Sequence, residues 1–434
     1  MLSAPFKSPT LSLYLSSLFS LFFVFYITSV QANQANPANN INNVTASLEN
    51  KQTATKSIKQ AAIASAHPLA TQAGQAILLS GGNAFDAAIT VASVLAVVEP
   101  YSSGFGGGGF WLLQQANHKA MMLDGREKAP ERATADMYLD EKGNVISRAS
   151  LNGAKAAGIP GMPAALVWLA ENRGNLPLAK SLQPAIQLAE EGFPVDKIYQ
   201  QMAGFRQQAL LASPAATHVF LDNKKIPKLG KIIKQPDLAK TLKALATQGN
   251  AGFYQGEVAK KLVAGVKAAG GIWTEKDLAD YQVVIRPTIQ FNYRDMTITS
   301  VNLPSSGGIV LAQIFNLLSH YTLDKYSEAD QLHLLVEAMR RAYRDRAEYL
   351  GDSDYVDVPT ERLVSKAYSQ TWQQSIKLDQ ATASSRLKPS QMEGNKGTDT
   401  THYSIIDQHG NRVAATLSIN YPFGSCFVPP ETGI

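Results

Sequence analysis

The sequence predicts an α+β fold in which long helices pack on antiparallel strands. Three observations lead there. Residues 402–407 and 412–420 alternate polar and apolar side chains on either side of Asp407-Gln408-His409-Gly410-Asn411, a turn-rich stretch with a glycine able to take positive φ. Residues 67–100 and 333–350 carry helical patterns with recognisable breakers. Apolar strand patterns begin at Phe110 and again across 281–302. With 434 residues, 45% apolar and 17% charged, the chain has ample material for a large core.

In chain order, residues 1–32 read as an export leader, with Lys7, an apolar run over 11–27 and Val30-Gln31-Ala32 before a cleavage point after Ala32. The run is long enough that an uncleaved membrane anchor is the alternative. Either way the folded part is expected outside the cytoplasm, periplasmic or secreted. Residues 33–56 are rich in Asn, Ala and Gln and too poor in large apolar groups to order themselves, so they read as a flexible tether. Asn43-Val44-Thr45 has the form of a glycosylation acceptor but is discounted.

Order is expected from about Ala61. His67-Pro68 opens a helix to about Ser80, Gly81-Gly82-Asn83 breaks it, and an Ala-rich helix runs from Phe85 to Pro100. Gly104 to Gly109 then matches G-x-G-x-x-G, with Asp124 further on. A dinucleotide loop, however, links a strand to a following helix, and here a helix precedes and a strand follows. The glycines are read as a turn that admits a ligand or another backbone. Arg126 follows the next strand on a loop, where a planar guanidinium suits a carboxylate.

Further along, Gly158 to Pro163 is a turn before a helix, and residues 182–189 form a helix that stops at Gly192. Residues 199–271 read as amphipathic helix, with Lys224, Lys225, Lys228, Lys231 and Lys234 on a solvated face. Trp273 to Leu278 starts a capped helix, and residues 281–302 read as a pair of strands. Pro304-Ser305-Ser306-Gly307-Gly308 leads into another helix without a G-x-S-x-G nucleophile elbow. His333 and Glu337 stand four apart, but no second histidine completes a zinc motif. Asp352, Asp354 and Asp357 lack the glycine and glutamate of a calcium loop. Residues 379–398 are polar and read as a mobile loop. One cysteine, Cys426, leaves no internal disulfide and reads as a small apolar filler. A net charge of +5 with no Lys/Arg run longer than two residues argues against nucleic acid as a partner.

The hairpin carries the chemistry. With a three-residue connection, either 409–411 or 408–410, Thr400 lies opposite Asn420 or opposite Ser418, and all three share a face. That face then holds Thr400, His402, Ser404, Thr416, Ser418 and Asn420. The other holds Tyr403, Ile405, Val413, Leu417 and Ile419, fit to pack on a second layer. An even-length connection would separate Thr400 from its partners. A threonine hydroxyl inside a chain is a poor nucleophile, but freed as an N-terminus it gains its own α-amine, of pKa about 7.7–8.0, as a base.

Thr400-Thr401-His402-Tyr403-Ser404 with Ser418, Asn420, Phe423 and Gly424 resembles the processing site of γ-glutamyltranspeptidases (glutathione hydrolases), which are N-terminal-nucleophile hydrolases. Gly81 to Ala88, the glycine cluster and Arg126-Glu127-Lys128-Ala129-Pro130 are similar to the start of that family's large subunit. The resemblance implies a four-layer αββα sandwich shared by a large-subunit region, residues 57–399, and a small subunit beginning at Thr400. It implies self-cleavage between Asp399 and Thr400, then a γ-glutamyl acyl-enzyme on Thr400. Ser418 would be a hydroxyl partner, Arg126 would grip the substrate α-carboxylate, and Asn420 would contact the glutamyl end. The donor would be glutathione or another γ-glutamyl compound, the acceptor an amino acid, a peptide or water, with no cofactor and no metal.

The sequence also departs from the family. Only 35 residues run from Thr400 to Ile434, so the sandwich is expected to be incomplete at the C-terminus. The family's α-amine-binding acidic residues, serine pair and oxyanion-hole glycines are missing, and this chain alone is expected to be inactive. Two other readings stand beside the first: a related acylase of the cephalosporin acylase or capsule transpeptidase type, and a non-catalytic truncated remnant.

Overall fold

Six antiparallel strands form the central sheet: β1 (Ala62–Ser65), β2 (Gly108–Gln114), β3 (Met121–Gly125), β6 (Val284–Arg286), β9 (Thr400–Ile406) and β10 (Arg412–Ser418). Their spatial order is β1-β9-β10-β2-β3-β6. The computed structural model describes residues 60–387 and 400–434. The expected leader and tether, most of the expected 379–398 loop, and Asp399 lie outside the described residues.

The register of β9 and β10 is the one that matters, and it follows from the connection. Ile406 pairs with Arg412 and Thr400 with Ser418. The Asp407 N–H donates to the Asn411 carbonyl (3.1 Å), and the Gly410 N–H donates to that of Asp407 (3.0 Å). The connection is thus the three-residue loop 408–410, with Gly410 at φ +88°, and Thr400 is opposite Ser418 rather than Asn420. Alternation then sorts the side chains. Thr400, His402 and Ser404 face outward while Thr401, Tyr403 and Ile405 are buried, and Val413, Ala415 and Leu417 are buried on the partner strand.

Beneath that apolar face lies the central helix, Ala84–Val98, with every residue buried. It packs between the sheet and the helices Pro68–Leu79, Met162–Asn172 and Leu178–Glu191. Its many alanines allow that approach. Asn83 and Asp86 form a capping box at its start, and Asp86 also accepts from the backbone N–H groups of Asn175 (2.9 Å) and Leu176 (3.1 Å).

Three hydrogen bonds tie this helix to β9 along its length. The Ala84 N–H donates to Asp407 Oδ2 just before the hairpin loop (2.9 Å), the Tyr403 hydroxyl donates to the Ala88 carbonyl (3.0 Å), and the Thr401 hydroxyl donates to Glu99 Oε2 just past the helix end (3.0 Å). The helix from 84 to 99 and the strand from 407 to 401 have matching lengths, roughly 22 Å and roughly 20 Å. The helix is therefore a strut that meets the strand at both ends.

A second sheet layer is present as a two-stranded pair, β7 (Ile289–Tyr293) with β8 (Met296–Ser300). Ile289, Phe291 and Tyr293 bury one face against the helices Gly307–Leu318 and Glu328–Tyr349. The opposite face looks across a cleft at the central sheet, lined by Thr297 and Thr299 on one side and Leu112, Gln114, Ser404 and Arg412 on the other. Helix, sheet, sheet, helix is thus the order of the layers.

Four expectations need correction. The predicted strand 412–420 ends at Ser418, because the Ser418 hydroxyl accepts the Asn420 N–H (2.9 Å) and Asn420 turns to φ +70°. The region 199–271 is not continuously helical. Between the helices Pro214–Phe220 and Pro236–Gln248 runs an irregular excursion holding all five lysines, all exposed. It contains β5 (Ile232–Ile233), which pairs with β4 (Phe193–Pro194). Residues 281–302 hold three short strands rather than two, the first joining the central sheet. The edge strand β1 lies where the sequence offered no strand pattern; four residues of Ala-Ile-Ala-Ser carry too short an alternation.

Candidate active site

One row of residues crosses the end of the central sheet. Thr400 on β9 pairs with Ser418 on β10, Ser418 pairs with Gly108 on β2, and Gly108 lies against Arg126, just past the end of β3. Directly opposed residues in antiparallel strands share a face, so the row presents two hydroxyls, a bare glycine and a guanidinium on one side. Three strand spacings separate the backbones of Thr400 and Arg126, roughly 14 Å. Gly108 is required by its neighbours, since a Cβ there would overlap the Gly125 carbonyl and the Arg126 Cα.

The Thr400 hydroxyl donates to Ser418 Oγ across 3.5 Å. The same oxygen receives the Asn420 N–H, so one serine links the threonine to the turn that bears Asn420. His402, two residues along the same face, bonds through Nδ1 to the Thr416 hydroxyl (2.8 Å) and through Nε2 to the Ser404 hydroxyl (3.2 Å). Partial desolvation by the neighbouring groups holds its pKa below the ordinary value. Among the described residues, no ion pair or charged hydrogen-bond partner reaches the Thr400 hydroxyl on this face.

Arg126 is fixed at its backbone and half-exposed at its side chain. Its N–H donates to Asp124 Oδ1 (3.0 Å) and its carbonyl accepts from the Tyr281 hydroxyl (2.6 Å). Asp124, the acidic residue of the rejected dinucleotide reading, is itself held by Arg286 Nε (2.7 Å). The guanidinium lies 5.5 Å from the Phe110 ring centroid and pairs with Glu127 (2.9 Å). About half of the Arg126 side chain is exposed, so an incoming carboxylate can reach it by sharing or displacing Glu127. Beside the row opens a cavity of about 250 Å³, with Gly104, Gly106, Glu127, Ile419, Asn420 and Phe423 in its wall.

Of the five sequence-predicted site residues, Thr400, Ser418, Arg126 and Asn420 border the same end of the sheet, and Asp399 lies outside the described residues. Residues 70–434 match the family model described as Gamma-glutamyltranspeptidase. The chain belongs to this family. It is 39% identical over 379 residues to the glutathione hydrolase proenzyme of Escherichia coli K12, an alignment that covers 87% of this chain and 65% of the relative's length. Among solved structures it resembles the γ-glutamyltranspeptidase of Helicobacter pylori, with a TM-score of 0.73 and 39% identity over 77% of this chain and 97% of that one. It also resembles the cephalosporin acylase of Bacillus halodurans, with a TM-score of 0.74 and 29% identity over 94% of this chain and 72% of that one. The layer order seen here is thus that of a transpeptidase-family chain.

Two residues that the sequence reading passed over support the row in this transpeptidase-family chain. Arg206, on the helix Lys197–Leu211, is fully buried and donates to the carbonyls of Pro422 (3.0 Å) and Gly424 (3.1 Å) and to Asn152 Oδ1 (2.8 Å). It lies 4.6 Å from the Tyr421 ring centroid. Asn420, Phe423, Gly424 and Cys426 all have positive φ, and Arg206 holds the turn they form. Glu99 is the second, buried beneath Thr401. Its signal was available: an acid directly after fifteen residues with no charge but Asp86. Elsewhere Asp354, one of the weighed cation ligands, takes both terminal nitrogens of Arg286 (2.8 and 2.6 Å). Glu337 pairs with Arg340 and Arg341 rather than with His333.

Proposed function

We propose that this chain carries the large-subunit region and the nucleophile hairpin of an enzyme that transfers or hydrolyses γ-glutamyl groups of glutathione and related compounds. In the precursor, Thr400 Oγ1 attacks the Asp399 carbonyl carbon, and the C–N bond gives way to an ester while the nitrogen gains a proton. Water then releases Asp399 as a carboxylate and leaves Thr400 with a free α-amine. In turnover that amine takes the hydroxyl proton as Oγ1 attacks the γ-glutamyl amide. The leaving amine departs with a proton, and water or an acceptor amine resolves the acyl-enzyme. The donor's α-carboxylate goes to Arg126 and its glutamyl end to Asn420, while Ser418 orients the Thr400 hydroxyl.

The observation that carries this reading is the row Thr400–Ser418–Gly108–Arg126, with a hydroxyl pair at one end and a reachable guanidinium at the other. The leader-like residues 1–32 support an exported, periplasmic or secreted enzyme, which N-terminal sequencing of fractionated protein checks. For the central claim, the full-length precursor is followed by mass spectrometry and by γ-glutamyl-anilide release. A new N-terminus at Thr400 and loss of both cleavage and turnover in Thr400→Ala are expected; normal turnover in that variant would falsify the proposal. A panel of glutaryl and γ-glutamyl amides separates it from a cephalosporin acylase: both offer Arg126 a carboxylate at the same distance from the amide, and only the γ-glutamyl compounds carry an α-amine beside it, so turnover confined to them supports the γ-glutamyl reading.

A further inference from the structure

We propose that Glu99 is a positioning residue for self-cleavage, acting on Thr400 through its hydrogen bond to the Thr401 hydroxyl. The inference rests on the reading of Thr400 as the residue that cuts its own chain. Thr401 directly follows Thr400 and points to the opposite side of the strand, so whatever fixes Thr401 also fixes the direction in which Thr400 Oγ1 points. Beyond the ladder to β10, what holds it is one side chain. Thr401 is buried against the sheet's helical side, and its hydroxyl donates to Glu99 Oε2 at 3.0 Å.

Glu99 is oddly placed for a residue kept only for stability. It follows the last residue of the central helix, the end at which the helix dipole disfavours negative charge. It is 4% exposed, and no ion pair reaches it among the described residues. The groups that face it bring no compensating cation. Asp196, which caps the helix Lys197–Leu211, repels a negative charge there. Tyr101, two residues on, stays protonated because burial and the nearby Glu99, Asp196 and Tyr199 all raise its pKa. Burial first, and Asp196 in addition, push the Glu99 carboxyl up to about 6, while the Thr401 hydrogen bond lowers it.

The tie between helix and strand therefore has two strengths. Above pH about 6 the ionised carboxylate accepts a charge-assisted hydrogen bond from Thr401, a bond about twice as strong as its neutral counterpart. Below that pH the carboxyl is neutral and the start of β9 is held less firmly. An intramolecular attack is sensitive to the placement of the attacking atom, so the first cut slows although no reacting atom has titrated. The loop end of the strut is held separately, by Asp407 on the Ala84 N–H, which leaves the hairpin paired while its Thr400 end loosens.

The test follows self-cleavage of full-length precursor from cell-free synthesis, read as appearance of the Thr400 N-terminus between pH 5 and 8. The wild-type rate is expected to fall about tenfold as pH drops through about 6. Glu99→Gln, which keeps the shape and a neutral hydrogen bond, should cleave at pH 8 about as slowly as wild type at pH 5 and lose that step. Thr401→Val should lose the step too, and Thr401→Ser should restore it. Melting temperatures measured alongside separate slow cleavage from poor folding. If Glu99→Gln and Thr401→Val keep the wild-type rate and pH profile while Thr400→Ala does not cleave, the positioning role is wrong and the nucleophile assignment stands. If wild type is not cut before Thr400, or Thr400→Ala still is, the nucleophile assignment fails and takes the positioning role with it.

Discussion

The hairpin Thr400–Ser418 and the turn Asn420–Cys426 adjoin in sequence and border the same row, yet they are held by opposite means. The hairpin rests on ladder hydrogen bonds to β1 and β2 on both sides and on a continuous apolar face. The turn has four residues in the left-handed region; Phe423 packs among Tyr101, Tyr199 and Phe220, the Ser425 carbonyl accepts the Gly153 N–H, and two of its carbonyls depend on one buried arginine from a helix more than two hundred positions earlier in the chain. For stability, a repeated ladder tolerates the loss of one group better than a pair of buried carbonyls that share a single donor. Loss of stability should therefore be larger for a change at Arg206 than for a change within the hairpin.

Arg206→Met should show the largest loss of stability. Removing the guanidinium leaves the Pro422 and Gly424 carbonyls without their donor, at a cost of about 3 kcal/mol. KM for a γ-glutamyl donor should rise more than kcat falls, because Asn420 is displaced while Thr400 is not. An unchanged melting temperature would break the comparison. Ser418→Ala should lower kcat about a hundredfold with a stability change under about 1 kcal/mol, since the ladder around it survives. Ser418→Thr, which keeps the hydroxyl, should recover most of the rate.

Glu99→Gln sharpens the contrast from the stability side. The folded-state pKa of about 6 lies above the ordinary 4.5, so the acid's favourable contribution is full below pH about 4.5 and lost as pH rises through about 6. At pH 7 the glutamine variant should be more stable by about 2 kcal/mol, and at pH 4 chemical denaturation should find no gain. A variant less stable than wild type at pH 7 would contradict the burial argument. The smallest effect belongs to Tyr403→Phe, which removes the acceptor of Trp111 Nε1 (2.8 Å) and the donor to the Ala88 carbonyl. About 1–2 kcal/mol should be lost with kcat unchanged, because the ladder holds the register.

The same contrast separates what the sequence could tell from what it could not. The hairpin was legible because its alternation is regular and its loop is anchored by Asp407 and Gly410, so two registers remained and both put Thr400 beside a polar partner. The capping box Asn83–Asp86 and the break at Gly81-Gly82 were legible for the same reason: each is local. The left-handed turn at Asn420 was not, because the serine that competes for its N–H reads in sequence as one more strand residue. Arg206 reads as an ordinary polar helix residue, and nothing within its own helix reveals that its partners are Pro422 and Gly424. Glu99 carried a faint mark, an acid closing a helix with a single charge, but its meaning required the strand above it.

The strands that begin at Thr400 are not at the margin of the sheet. They sit between β1 and β2, flanked on both sides by backbone from the first third of the chain. A severed linkage before Thr400 would therefore create two polypeptides woven through one another, and pulling them apart would mean tearing out the middle of a sheet. Such pieces should copurify through dilution and salt and separate only in denaturant.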